Sequence, residues 1–94
     1  MEQDKIERIK SILTEWNPAK NSLFPIPDLD NYDTEVGDFI FNLEIEYDFP
    51  ENKVTNKQAQ RMLKEVLNQA FNLHLTDSDC EEPTIRIMQI LLEN

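Results

Sequence analysis

Glycine, cysteine and histidine are almost absent from this chain, each occurring once among 94 residues, as Gly37, Cys80 and His74. Phosphate-binding loops, dinucleotide-binding turns and hydrolase nucleophile elbows all need closely spaced glycines, so these sites are excluded. A lone cysteine forms no internal disulfide, and with a single histidine it makes no zinc site. We therefore expect no enzymatic activity and no cofactor or metal, with Cys80 a small buried residue and His74 a cap or packing residue at a helix end.

Long hydrophobic runs are also missing. No window approaches the roughly 20 uncharged residues of a membrane span, and the first ten residues, MEQDKIERIK, lack the apolar core of a signal peptide. We expect a soluble cytoplasmic protein that forms a single helical domain over residues 1–94.

Basic residues are scarce, with 9 Lys and Arg against 19 Asp and Glu, and the formal net charge is −10. Residues 31–54 carry seven acids and one lysine, whereas residues 55–75 carry one acid and three basic residues. A nucleic acid or an anionic membrane requires a basic footprint, so we expect neither as a partner.

Apolar residues recur with helical spacing along most of the chain, which predicts an all-α fold and a small four-helix bundle. The first helix is expected over residues 3–16, because the residue before Pro18 avoids the helical region. The second is expected to start between Asp30 and Asp33, where Asp30 with Asp33 or Thr34 can cap it, and to end near Tyr47.

A Pro-rich loop connects these two helices over residues 17–30. It is unusually apolar for a loop, so we expect four of its side chains to pack across the end of the bundle: Leu23, Phe24, Ile26 and Leu29.

The third helix is predicted to begin after a capping box of Thr55 and Gln58 and to end near Leu73. The fourth is predicted to begin at Ser78 or Asp79 and to end near Glu93, with Pro83 making its first turn irregular. Apolar residues surround most of this last helix, which indicates burial in the bundle or, alternatively, an exposed interface.

The second helix has apolar residues on more than one side. Its core stripe is expected to contain Tyr32, Val36, Phe39, Ile40, Leu43 and Tyr47. Phe41 and Ile45 point away from that stripe and are flanked by acidic and amide side chains. An apolar anchor ringed by carboxylates is typical of a surface that binds a basic partner.

The candidate partner-binding residues on this helix are Glu35, Asp38, Phe41, Asn42, Ile45, Glu46 and Asp48. The alternative is that Phe41 and Ile45 pack against a second neighbour, such as the Pro-rich loop. The sequence leaves both interpretations open.

Three short elements carry a family resemblance: Glu15-Trp16-Asn17-Pro18, then Asn31-Tyr32-Asp33-Thr34-Glu35 followed by Asp38 and Ile40, and Cys80 ahead of an apolar Ile90-Leu91-Leu92 ending. They resemble an uncharacterised family of small bacterial helical proteins with E-W-[DN]-P and Y-[DE]-[TS]-E signatures. The chain departs from that pattern in lacking the usual glycine after E-W-[DN]-P and in its long Pro-rich insertion.

This resemblance implies a compact helical bundle with relatives among the toxin-immunity proteins of contact-dependent growth inhibition, and it carries over no catalytic residue. Together with the acidic charge, it predicts an immunity-type inhibitor that binds a basic protein toxin, such as a nuclease, through the second helix. The alternative hypothesis is a housekeeping bacterial interaction protein or a homodimeric adaptor that uses the last helix.

Overall fold

A computed structural model describes residues 3–20 and 32–93 of the chain. Its helices are α1 (Gln3–Trp16), α2 (Asp33–Tyr47), α3 (Asn56–Phe71) and α4 (Asp77–Leu91), and the described residues contain no strand. The predicted all-α four-helix fold is therefore confirmed. Each helix packs on two neighbours, because α1 and α3 both contact α2 on one side and α4 on the other.

The first three helices lie close to their predicted positions. α1 has the predicted bounds and ends where Asn17 takes a left-handed backbone conformation ahead of Pro18. α2 begins at Asp33, and the Tyr32 side chain in the cap position makes no capping hydrogen bond. The expected cap Asp30 and the expected packing of the Pro-rich loop lie outside the described residues.

The predicted capping box of α3 is confirmed. The Thr55 hydroxyl accepts the Gln58 N–H at 3.1 Å, and the Gln58 side chain accepts the Thr55 N–H at 3.0 Å. The helix ends at Phe71, two residues earlier than expected, since Asn72 adopts the left-handed conformation that commonly terminates helices.

α4 begins one residue before its predicted start around Ser78 or Asp79. Thr76 and Asp79 form a second capping box, so the helix begins at Asp77 and Ser78 already lies inside its first turn. Pro83 was expected to disturb that turn, but it lies in the second turn of a continuous helix. Its ring lacks the N–H that would bond the Asp79 carbonyl, and the reciprocal cap already holds the turn before it.

One hydrophobic core joins all four helices. The predicted core stripe of α2 is confirmed, because five of its six side chains are buried and Tyr47 packs against them half-buried. Most apolar side chains of α4 are also buried, which agrees with the first of the two interpretations of this helix, and Cys80 lies fully inside the core. The largest side chains with almost no exposure are Phe39, Ile9, Leu13, Leu43, Leu63, Leu67, Ile87 and Met88.

Tyr32 ties the start of α2 to the end of α1. Its hydroxyl accepts the Ala19 N–H at 3.2 Å and donates to the Asn17 side-chain oxygen at 3.0 Å. The rings of Tyr32 and of Phe71 on α3 form a T-shaped pair with their centroids 5.8 Å apart. Tyr32 therefore sets the position of α2 relative to both of its neighbours.

Candidate interaction surface on α2

The core side of α2 determines which residues are left for solvent. Because successive residues turn by about 100° around a helix, anchoring Phe39 and Leu43 in the core leaves Phe41 and Ile45 pointing outwards. Phe41 is 58% exposed and Ile45 is 63% exposed. The sequence predicted their direction, and the structure shows that both side chains present most of their surface to solvent.

Four carboxylates surround this pair, and all are exposed: Asp38, Glu44, Glu46 and Asp48. Short distances place other acids in ion pairs among the described residues: Lys10 reaches Asp33 at 3.4 Å, and Lys64 reaches Asp77 at 2.9 Å. Arg8 pairs with Glu93, and Arg86 pairs with Glu15. The carboxylates around Phe41 and Ile45 thus give this face of α2 a single sign of charge.

The Asn42 side chain is partly engaged in a hydrogen bond within α2. It is half-buried, and its side-chain amide donates a 2.7 Å hydrogen bond to the Asp38 carbonyl one turn earlier. Its side-chain oxygen is the group that remains to accept a hydrogen bond from a partner.

Glu35 is more buried than was expected of a partner-binding residue. It was expected on a stripe beside the core arc with Asp38 and Glu46, and it is only 8% exposed. Because Glu35 lies four residues before Phe39, it borders the core stripe, and the packing of α2 on its neighbours covers it. It therefore differs from the other predicted residues, of which Asn42 is half-buried and the remaining five are exposed.

Burial also changes the chemistry of Glu35. Its Oε1 atom has no hydrogen-bond partner among the described residues. Burial raises the pKa of this carboxyl, and the nearby negative charges of Asp38 and Asp33 raise it further, while its own backbone N–H opposes the shift. A neutral carboxylic acid is thus favoured at Glu35 relative to an exposed glutamate.

Sequence reasoning missed a groove between α1 and α4. Two adjoining cavities of about 330 and 350 Å³ share Ile12, Glu15 and Arg86 in their walls. The Arg86 guanidinium lies 3.7 Å from the Glu15 carboxylate, so the centre of the groove is occupied by a pair of opposite charges. The half-buried Trp16 lines one end of the groove. In the sequence, only its position next to Glu15 pointed to this region.

The fourth helix offers less apolar surface than its sequence suggested. Ile87 and Leu91 are buried in the core, whereas Ile85 and Leu92 are exposed. The apolar residues of α4 are therefore used mainly to hold the bundle together.

Cys80 and His74 show no reactive arrangement among the described residues. Burial raises the pKa of the Cys80 thiol to about 11, which disfavours the nucleophilic thiolate, and His74 is exposed. Across residues 3–20 and 32–93, His, Cys, Asp and Glu side chains nowhere gather in threes as metal ligands. In the same ranges each helix is too short or too polar to span a bilayer.

Comparison of the chain with models of known protein families, with curated proteins and with solved structures gives no match. The similarity of its Glu15-Trp16-Asn17-Pro18 and Tyr32-Asp33-Thr34-Glu35 elements to a helical family remains a prediction.

Proposed function

We propose that this chain is an immunity-type inhibitor that binds and neutralises a cationic bacterial toxin, such as a nuclease, in the cytoplasm. The observation that supports it is the joint exposure of Phe41 and Ile45 on α2 among carboxylates of one sign. Protein interfaces commonly combine an apolar anchor with a charged rim, in which the anchor supplies energy and the rim supplies steering and selectivity.

The apolar pair alone is too small to account for tight binding. Complete burial of a Phe or Ile side chain contributes about 1.5–3 kcal/mol, and these two are already partly covered. Association costs roughly 4 kcal/mol or more in lost translational and rotational freedom. The neighbouring carboxylates must therefore take part, and the interface must extend beyond Phe41 and Ile45.

The charge favours a basic partner over other proteins. A chain with a net charge of −10 is attracted over a distance to a surface built to hold nucleic-acid phosphates. Opposite fields raise association rates to about 10⁸ M⁻¹s⁻¹ or above at low salt, against about 10⁵–10⁶ M⁻¹s⁻¹ for neutral pairs. We propose a steric mode of inhibition, in which α2 covers the basic surface and this chain contributes no chemistry.

The proposal is tested with the products of the reading frames next to this gene. Each is expressed in a bacterial host, alone and together with this chain. One product should arrest growth alone, and this chain should restore growth and bind the purified product with an affinity that falls steeply with salt. Asp38→Lys and Phe41→Ala should weaken both protection and binding.

Two variants away from α2 serve as matched controls. Glu65→Lys reverses an exposed charge on α3, and Leu92→Ala removes an exposed apolar side chain after α4. Both should protect as well as the parent chain. Equal affinity of the parent, Asp38→Lys and Phe41→Ala chains at all salt concentrations would contradict the assignment of this surface.

A further inference from the structure

The fold does not explain the glycine in the middle of α2. Gly37 is exposed, and its backbone is not in the left-handed region. Apart from its chain neighbours and the adjacent backbone of α2, no atom among the described residues lies within 4 Å of where a Cβ would be. A larger residue would therefore fit. Glycine inside a helix is less favourable than alanine, because it loses more chain entropy on folding.

Gly37 lies in line with the two exposed apolar residues. Gly37, Phe41 and Ile45 follow one another at four-residue steps, which places them on one ridge of the helix surface. We call these three residues the apolar ridge; it covers eight residue steps, or about 12 Å along the axis. Gly37 has no side chain and leaves a hollow at one end of the ridge, whereas the side chains of Phe41 and Ile45 project from it.

Carboxylates border the apolar ridge on both sides. The parallel ridge on one side carries Asp38 and Glu46, and the ridge on the other side carries Glu44. Asp48 follows the last helical residue, Tyr47, in a left-handed conformation, and all four carboxylates are exposed. A ligand that binds along the apolar ridge must therefore present an apolar strip with positive charges along both of its edges.

We propose that the apolar ridge docks a cationic amphipathic helix of its partner, whose backbone comes closest to α2 over Gly37. The proposal rests on the proposed function, because it uses the same face of α2, and it adds the shape of what binds there. The apolar side of the incoming helix packs on Phe41 and Ile45, and its Lys and Arg side chains reach the bordering carboxylates.

Two other occupants fit this surface less well. A second copy of the chain would bring the carboxylates of two α2 helices together, and like charges placed opposite each other oppose association. An extended strand needs free backbone donors and acceptors, which the closed hydrogen-bond ladder of α2 does not offer. Another helix needs only a matching ridge and groove, and a glycine at the contact lets the two axes approach closely.

The substitution that tests the hollow is Gly37→Ala. In the free chain it should raise the melting temperature by roughly 4–8 °C, because alanine favours the helix and the added methyl group meets open space. In the complex the same methyl group should weaken binding about tenfold, since it occupies the closest approach of the two helices. A gain in stability with a loss of binding is not expected of a purely structural glycine.

The probe is a synthetic helical peptide of about 18 residues, with a leucine strip flanked on both sides by lysines. A peptide of identical composition in scrambled order is the control, because it has the same charge but lacks the continuous leucine strip. Titration followed by NMR should shift the α2 amide resonances around Phe41 for the patterned peptide, and much less for the scrambled one. Calorimetry on the parent, Gly37→Ala and Phe41→Ala chains gives the affinities, with Gln69→Ala on α3 as an exposed control.

Four results would overturn the inference. They are equal binding of the two peptides, resonance shifts centred on α1 and α4, unchanged affinity for Gly37→Ala, and a concentration-dependent dimer of the free chain that Phe41→Ala abolishes. A large drop in the melting temperature of free Phe41→Ala would also count against it, because the ring would then pack against the chain itself.

Failure of this inference and failure of the proposed function give different results. If Phe41→Ala abolishes protection from the toxin but Gly37→Ala does not weaken peptide binding, the inhibitor function stands and the helical shape of its ligand is wrong. If the patterned peptide binds the ridge as expected but no neighbouring gene product is neutralised, the docking surface stands and the toxin is wrong.

Discussion

α2 and α3 are neighbours of almost equal length, 15 and 16 residues, but they place their apolar side chains differently. Every large apolar side chain of α3 is buried or half-buried, so folding alone accounts for its sequence. α2 buries one apolar side as completely and exposes Phe41 and Ile45 on another. α2 thus has apolar residues on two sides, and the described part of the fold buries only one of them.

The α2 and α3 regions also differ in their balance of acidic and basic residues. Residues 31–54 carry seven acids and one lysine, whereas residues 55–75 carry three basic residues and one acid. A helix in contact with solvent needs charged residues, but these need not all have the same sign. The α3 region meets this requirement with charges of both signs. The excess of carboxylates around the apolar ridge goes beyond that requirement and favours a basic ligand.

The strongest test of this comparison uses two phenylalanines on α2. Phe39 is 1% exposed and Phe41 is 58% exposed, although they are two residues apart on the same helix. Phe39→Ala should lower the free energy of unfolding by about 3–5 kcal/mol, because it leaves a cavity in the core. Phe41→Ala should change it by no more than about 0.5 kcal/mol.

Urea denaturation measures both values, and the shared helix makes each variant the control for the other. Similar losses in the two variants would show that Phe41 is as much a part of the core as Phe39. The distinction between the two sides of α2 would then fail.

Features that depend on a few adjacent residues could be predicted from the sequence. The bounds of α1, the core stripe of α2 and the Thr55 capping box of α3 follow from local spacing and hydrogen bonding. The start of α4 was misplaced because the run Thr76-Asp77-Ser78-Asp79 contains four residues that can each cap a helix. Local chemistry did not distinguish among them.

Features that depend on the distance between helices could not be predicted in the same way. A helical wheel puts Glu35 at the edge of the core stripe, and only the packing of neighbouring helices decides that this edge is covered. The α1–α4 groove likewise requires the two helices to be placed side by side. The directions of Phe41 and Ile45 were predictable, but their exposure depended on whether another element lay over them.

A smaller effect is expected at the helix starts, where α3 has a capping box and, among the described residues, the Tyr32 side chain makes no capping hydrogen bond to α2. Thr55→Ala should lower the free energy of unfolding by about 1 kcal/mol, because the Gln58 N–H loses its acceptor. Thr34→Ala, in the exposed first turn of α2, should change it by no more than about 0.5 kcal/mol. Thermal unfolding of both variants gives the comparison, and equal losses would mean that Thr34 supports the start of α2.

The smallest effect is expected from Glu35, because this carboxyl lies at the edge of the core next to the exposed Asp38 and can gain water by a small movement. Its folded-state pKa is raised above the ordinary value of 4.5, so the folded chain binds this proton more tightly than the unfolded chain does. The stabilisation by protonation is complete below the ordinary pKa and is lost as the pH rises through the folded-state pKa.

Glu35→Gln keeps the shape and removes the charge, so it should be more stable than the parent near neutral pH, with the difference shrinking as the pH falls towards 4.5. Denaturation curves of both chains across this pH range test the prediction, with Glu65→Gln as the matched exchange of an exposed glutamate on α3. A Glu35→Gln chain that is less stable than the parent at neutral pH would mean that the charged carboxylate is satisfied in solution, and the buried edge of α2 would then resemble the solvated face of α3.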